Sequence, residues 1–416
     1  MHDIKKAIEA IWRIESPKVI AGVAHMVHDI GLAEEIAQDA FVAALQQWPQ
    51  AGVPERPGAW LMGTAKHNAI DMLRRQQNLQ RKQEELAREL EVEEQRMPDF
   101  EAAIEDDLGD DLLRLMFTAC HPVLAADARV ALTLRLLGGL TTEEIARAFL
   151  APVATIQQRI VRAKRTLTEA RVPFEVPARS ELATRLASVL EVIYLVFNEG
   201  YSATAGVDSI RPALCEDALR LGRVLAELLP GESEVHGLVA LMEIQASRLR
   251  SRVGPSGEPV LLLDQDRARW DHLLIRRGLT ALERAQQLGT TLGPYALQAA
   301  IASCHARARA AEETDWPRIA ALYDALAQVA PSPVVELNRA VAVGMAFGPA
   351  AGLELVDRLG SERSLHGYYL LPSVRGDLLA KLGRLGEARI EFERAAGLTL
   401  NERQRKVLLE RAANQG

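Results

Sequence analysis

Residues 140–167, LTTEEIARAFLAPVATIQQRIVRAKRTL, restrict the fold of this chain more than any other stretch. They read as two short helices joined by a tight turn. Thr141 is followed three positions later by Glu144, a capping box in which each side chain satisfies a backbone donor at the helix start. Leu140 and Ile145 flank the cap as a hydrophobic staple. The pattern breaks at Ala151-Pro152, and proline suits the first turn of a new helix because its missing N–H would have had no partner there. On the second helix Ile156, Ile160, Ala163 and Leu167 form one apolar stripe able to pack on the first helix. Thr155, Arg159 and Arg162 form the opposite stripe. Over residues 155–171 the cations Arg159, Arg162, Lys164, Arg165 and Arg171 face the single acid Glu169, in a chain whose formal net charge is -7.

A helix-turn-helix places the start of its second helix against major-groove base edges, while flanking cations hold phosphates. Val153, Thr155, Gln157 and Gln158 are then the base-reading candidates, and Arg159, Arg162, Lys164 and Arg165 the phosphate clamps. An ordinary helical hairpin with a solvated basic face is the bland alternative. A second basic helix upstream weighs against it.

At 416 residues the chain has room for two to four domains. Its apolar run at 187–197 is interrupted by Glu191 and too short to span a bilayer. Residues 1–10 are polar and of mixed charge, without the pattern of a secretory signal. Cys120, Cys215 and Cys304 lie far apart with no metal-type spacing, which fits a reduced cytoplasm.

In chain order, residues 4–20 read as an amphipathic helix, and 19–27 as a second apolar stretch ending at His28-Asp29. The next helix is expected from about Leu32, with Ile36, Ala40, Ala44 and Trp48 inward and Glu34, Glu35, Gln38, Asp39 and Val42 outward. A loop over 49–58 precedes AWLMGTAKHNAIDMLRRQ, where Leu61, Ala65, Ala69, Met72 and Leu73 form a buried stripe and Thr64, Asn68, Asp71 and Arg75 another face. Lys66, Arg74, Arg75, Arg81 and Lys82 against Asp71 make a second nucleic-acid footprint. Trp60, His67 and Asn68 beside these cations suit unstacked bases as well as phosphates.

From 83 to 111 the charge reverses, with thirteen acids against Arg88 and Arg96. Such a block repels itself and reads as a mobile, partly helical linker. A sharper reading has it lie in a partner's basic channel, or shield the two basic helices until a partner displaces it. Residues 112–138 supply two further helices, the second ending at Gly138-Gly139. Cys120-His121 lacks a second ligand pair, so a buried thiol is expected there rather than a metal.

Residues 29–75, with DIGLAEEIAQDAFVAALQQW followed by WLMGTAKHNAIDMLRR, resemble region 2 of an extracytoplasmic-function sigma factor, and residues 112–167 resemble its region 4. The two blocks stand in that family's order across the acidic linker, with no region 3 between them. The resemblance implies that Glu34, Glu35, Gln38, Asp39 and Phe41 dock on the clamp helices of RNA polymerase core. It implies that Trp60, Lys66, His67, Asn68, Asp71, Arg74 and Arg75 lie along the -10 element, and that the helix-turn-helix reads the -35 element.

A minimal member would stop near Arg171. After VPFEVP at 172–177 a further helical stretch follows, expected as a domain over 180–416. Near its end Gly376, Ala388, Phe392 and Ala395 stand at the spacing of a tetratricopeptide repeat's small and aromatic positions, with Pro372 in place of the consensus Trp. Tyr323 and Pro331 match an earlier unit. Three degenerate repeats would stack as an α-solenoid with a concave groove. The whole resembles the sigma-factor subgroup with a C-terminal repeat extension, which implies that the extension regulates activity in place of a membrane anti-sigma factor.

Within LEVIYLVFNEGYSA, Tyr194, Asn198, Glu199 and Tyr201 are candidate regulatory residues for a ligand or protein. Glu216, Asp217, His236, Glu243, Arg248, Asp264 and Asp266 are able to join them across helices. A plain helix C-cap at Gly200 is the competing reading. No nucleophile, base and oxyanion donors can be grouped from the sequence, so no enzyme, cofactor or metal is expected. The expectation is an all-α protein: region 2 over 1–82, linker 83–111, region 4 over 112–171, linker 172–179 and the repeat-type domain. Its partners would be polymerase core and promoter DNA, with no membrane. The alternatives are a free-standing helix-turn-helix regulator, or a repeat scaffold with a vestigial sigma half.

Overall fold

The computed structural model describes residues 2–87, 108–201, 210–254 and 258–415. Among these the regular structure is helical, apart from isolated bridge positions such as Val253 with Pro259. The chain divides into two compact units, Met1–Val192 and Ile193–Gly416.

The first unit holds α1 (His2–Val27), α2 (Ile30–Ala51), α3 (Pro57–Ala87), α4 (Leu108–Ala119), α5 (Ala126–Leu136), α6 (Thr142–Ala148), α7 (Val153–Glu169) and most of α8 (Arg179–Tyr201). Where two apolar stretches were expected at the start, α1 is one helix that runs through Pro17. An interior proline costs about 3 kcal/mol through a lost hydrogen bond and a ring clash. Burial of Val19, Ile20, Val23 and Ala24 on its far side offsets that cost. The chain turns at His28, whose φ of 52° is left-handed. Asp29 then caps α2 by accepting from the N–H groups of Gly31 (2.7 Å) and Leu32 (2.9 Å), which starts the helix before Leu32.

The capping box of α6 is formed. Thr141 Oγ1 accepts from the Glu144 N–H (3.1 Å), and the Glu144 carboxylate accepts from the Thr141 N–H (2.8 Å). The turn passes through Leu150 in the left-handed region (φ 48°), and Pro152 caps α7. Ile156, Ile160, Ala163 and Leu167 are all buried, as their spacing predicts. Cys120 is a buried thiol, its Sγ 3.3 Å from Thr133 Oγ1, and burial pushes it up to about 11.

The acidic segment expected over 83–111 begins inside α3 and ends inside α4, and its middle, 88–107, lies outside the described residues. At the other end of the unit, the first half of α8 packs on α4 and α5. Arg185 donates to the Phe117 carbonyl (3.0 Å), Ser188 donates to the Cys120 carbonyl (2.6 Å), and Arg129 pairs with Glu191 (3.0 Å). The boundary between units therefore falls inside a continuous helix, not in the 172–179 stretch. Buried Leu186, Val189 and Leu190 supply the apolar side of that contact.

The second unit continues with α9 (Pro212–Leu228), α10 (Ser233–Ala246), α11 (His272–Leu288), α12 (Pro294–Arg307), α13 (Trp316–Val329), α14 (Pro333–Phe347), α15 (Pro349–Leu359), α16 (Leu370–Lys381), α17 (Leu385–Leu398) and α18 (Glu402–Ala413). The helices pack on near neighbours in sequence, α10 on both α11 and α12, α13 on α14, α14 on α15, α16 on α17 and α17 on α18, so the core is a row of stacked helices. Gly376 lets α16 and α17 approach, because a Cβ there would lie 2.8 Å from the Phe392 ring. Ala388, Phe392 and Ala395 are buried at the same contact, which accounts for their spacing.

Candidate nucleic-acid interface

On α3 the buried stripe of Leu61, Ala65 and Ala69 turns the polar residues outward. His67, Arg74 and Arg75 are exposed, while Lys66, Asn68 and Asp71 are half-buried. His67 Nε2 and Asp71 Oδ2 are 3.4 Å apart, one turn along the helix. Trp60 sits edge-on to buried Trp48, with ring centres 5.3 Å apart. One side of α3 thus carries aromatic and cationic groups. The side chains of Arg81 and Lys82 lie outside the described residues.

On α7 the apolar stripe faces α5 and α6, which presents Val153, Gln157 and Gln158 to solvent at the start of the helix, with Thr155 half-buried. The four expected clamps differ. Arg162 is exposed and makes no ion pair among the described residues. Arg159 Nε is 3.0 Å from Asp127, and Arg165 Nε is 2.6 Å from Glu169. Lys164 pairs with Glu34 of α2.

That last pair corrects the reading of α2. Glu35 and Asp39 are exposed, and Gln38 and Phe41 are half-buried, with Phe41 stacked on Trp12 at 4.7 Å. Glu34 was expected to face outward and is 5% exposed. Arg135 Nε holds its Oε1 at 2.6 Å, Lys164 meets its Oε2, and Gln38 Nε2 donates to Oε1 at 2.8 Å. Burial alone pushes this carboxyl up, but the two cations outweigh it and hold it below the usual Glu range. The helical period does carry a signal: Ile30, Ala33, Ala37 and Phe41 form a second apolar strip, and Glu34 lies within it. An open cleft of about 690 Å³ lies alongside, lined by Trp12, Arg13, Glu34, Phe41, Arg135 and Glu144.

Of the candidate regulatory residues of α8, Tyr194 meets Asn198 and feels Tyr201, while Glu199 pairs elsewhere. Tyr194 donates to Gln298 Oε1 (3.1 Å), meets Tyr295 edge-on and is hydrogen-bonded to Asn198. Glu199 pairs with Arg211 ahead of α9. Tyr201 is stacked on Phe197 and covered by Arg252 at 3.8 Å. Of the more distant acids and bases, Arg248 joins Tyr201 at 5.9 Å. Glu243 pairs with Arg223, Asp217 with Arg220, His236 meets the Pro230 carbonyl, and Asp266 caps its own turn. Gly200 is not a helix cap. It lies inside α8, and a Cβ there would be 2.7 Å from the Cys215 backbone nitrogen.

Among the described residues no group of three His, Cys, Asp or Glu side chains is placed to hold a metal. Nor, among the described residues, is any helix long and apolar enough to cross a membrane. Residues 12–79 match the model of sigma-70 region 2, and residues 114–167 that of sigma-70 region 4. The chain is also similar to the RNA polymerase sigma-H factor of Pseudomonas aeruginosa, 27% identical over 173 residues, 41% of this chain and 88% of that protein. The chain belongs to the sigma-70 family of sigma factors.

The remainder of this sigma factor is a C-terminal extension, of which residues 185–286 match a family of unknown function, DUF6596. An uncharacterized protein of Rhizobium meliloti is 44% identical over 387 residues, 92% of this chain and 90% of that one. Sigma half and extension therefore recur together in one relative. No solved structure matches.

Proposed function

We propose that this sigma factor binds RNA polymerase core and directs initiation at two-part promoters, with α3 along the -10 element, α7 on the -35 element and the C-terminal unit regulating activity. The observation that carries the reading is the pair of cationic, polar helix faces in one chain, each inside a stretch matched to a sigma-70 region. Each face by itself is a modest DNA-binding surface. A polymerase that fixes their spacing lets them act together through effective concentration. Melting needs no covalent chemistry, because capture of unstacked bases offsets the few kcal/mol that each unstacked step costs.

The ion pairs of Glu34 add a coupling to this reading. Lys164 can hold a phosphate only after leaving Glu34, and Glu34 can meet polymerase only after leaving Lys164 and Arg135. Core and promoter DNA then favour the same opened form, so each strengthens binding of the other.

The test is transcription in vitro from promoter fragments with polymerase core and the full-length protein, followed by permanganate footprinting of melted thymines. Initiation at a defined two-part promoter is expected. Asn68→Ala should remove the melted footprint while closed binding persists. No initiation, together with tight duplex binding in the absence of core, would replace this reading with a free-standing regulator.

A further inference from the structure

Several half-buried arginines of the second unit meet carboxylates. Arg211 pairs with Glu199, Arg223 with Glu243, and Arg375 with Asp357 and Glu391. Arg248, on the turn after α10, is 7% exposed and has no carboxylate or hydrogen-bond acceptor among the described residues. Its Cζ lies 5.9 Å from the ring centre of Tyr201 and 5.8 Å from that of Trp270. Arg252, one turn on and half-buried, covers the Tyr201 ring at 3.8 Å, and no acid among the described residues forms an ion pair with it.

A cation taken out of water without a counter-charge is strongly unfavourable, and contact with a ring face offsets only part of that. Three orphaned atoms around these rings are donors: Arg248 Nε, Arg252 Nε and Trp270 Nε1 are buried N–H groups with no acceptor among the described residues. What is missing is a group that only accepts and carries negative charge, which describes an oxyanion.

We propose that Arg248 and Arg252, gathered on Tyr201, form a binding site for the carboxylate or phosphate of a small molecule. Arg248 is the enclosed anchor, and Arg252 and Tyr201 are half-buried beside it. Arg267 reinforces the positive field. It lies 5.1 Å from the Trp270 ring centre and is held in place by the His305 and Ala308 carbonyls (2.7 and 2.8 Å). Tyr201, Arg248, Arg252 and Trp270 all fall within 185–286, the stretch that matches the family of unknown function. The site is a property of the second unit and does not depend on whether the first unit initiates transcription.

The experiment is titration calorimetry on the full-length protein near neutral pH, with sodium phosphate and sodium acetate as separate probes against sodium chloride at matched ionic strength. Saturable binding of at least one probe is expected, and the one that binds distinguishes a phosphate from a carboxylate head group. Arg252→Met and Arg248→Met should each weaken it by about tenfold or more, the scale of a charge-assisted hydrogen bond. Circular dichroism checks that each variant is folded, and if Arg248→Met is not, Arg252→Met decides. No saturable binding of either probe, or binding that a folded variant leaves unchanged, overturns the proposal.

Discussion

Glu34 and Arg248 are both charges removed from water, and their surroundings treat them oppositely. Glu34 has two cations, which hold it ionised. Arg248 has aromatic rings and further cations. The same cations act on His305, 7% exposed on α12, which burial and then Arg248 and Arg267 push down to about 4. Its folded value lies below the ordinary histidine value of 6.5, so between the two the unfolded chain takes up a proton that the folded chain refuses. Stability contributed by this residue is complete above about 6.5 and is lost as the pH falls towards 4, by on the order of 3 kcal/mol. His305→Gln is expected to flatten that acid-side loss in urea unfolding followed across the window. Only part of the slope should vanish, because His121 in the first unit is also pushed down to about 4 by burial. None of this is legible in the sequence, where His305 is one histidine in an alanine-rich helix.

At the scale of elements, the helix-turn-helix was legible because its determinants are local. The capping box spans three residues, and the apolar stripe of α7 repeats with the helical period. The basic faces could be read from charge alone, but the availability of each cation could not. Arg159 must leave Asp127 to reach a phosphate, whereas Arg162 stands exposed. Arg162→Ala is therefore expected to lower promoter affinity and reduce the slope of log K against log salt by about one. Arg159→Ala should change both less, since its gain on DNA is offset by the pair it gives up. Filter-binding titrations of the polymerase complex over a range of salt would check the order, and equal slopes for the two variants would contradict it. The continuity of α1 through Pro17 and the division of α8 between two units escaped the sequence for a related reason. Each depends on the apolar surface that covers the helix, not on the preferences of its own residues.

Across the first unit, the contacts that close α2 against α5 and α7 share the load with others. His25 and Arg114 meet on Asp111 (2.6 Å each), which ties α1 to α4, and Arg13 of α1 approaches Glu144 of α6 at 4.0 Å. Glu34→Gln leaves Arg135 and Lys164 without their acid. By the proposed coupling it should enlarge the radius of gyration of the free protein in small-angle scattering and free Lys164 for amine-reactive labelling. Unchanged scattering and labelling would show that the other contacts hold the unit closed by themselves. The sequence by itself determined the helical class, the capped helix-turn-helix, the two basic faces and the family, because these rest on short-range periodicity, turn chemistry and charge counted along the chain. Only the tertiary structure decided that Glu34 is buried against Arg135, 101 positions away, that α8 serves both units, and that two arginines meet one tyrosine. Those outcomes depend on which surfaces meet when distant helices pack, and a charge cannot report its partner until the fold has brought one within reach.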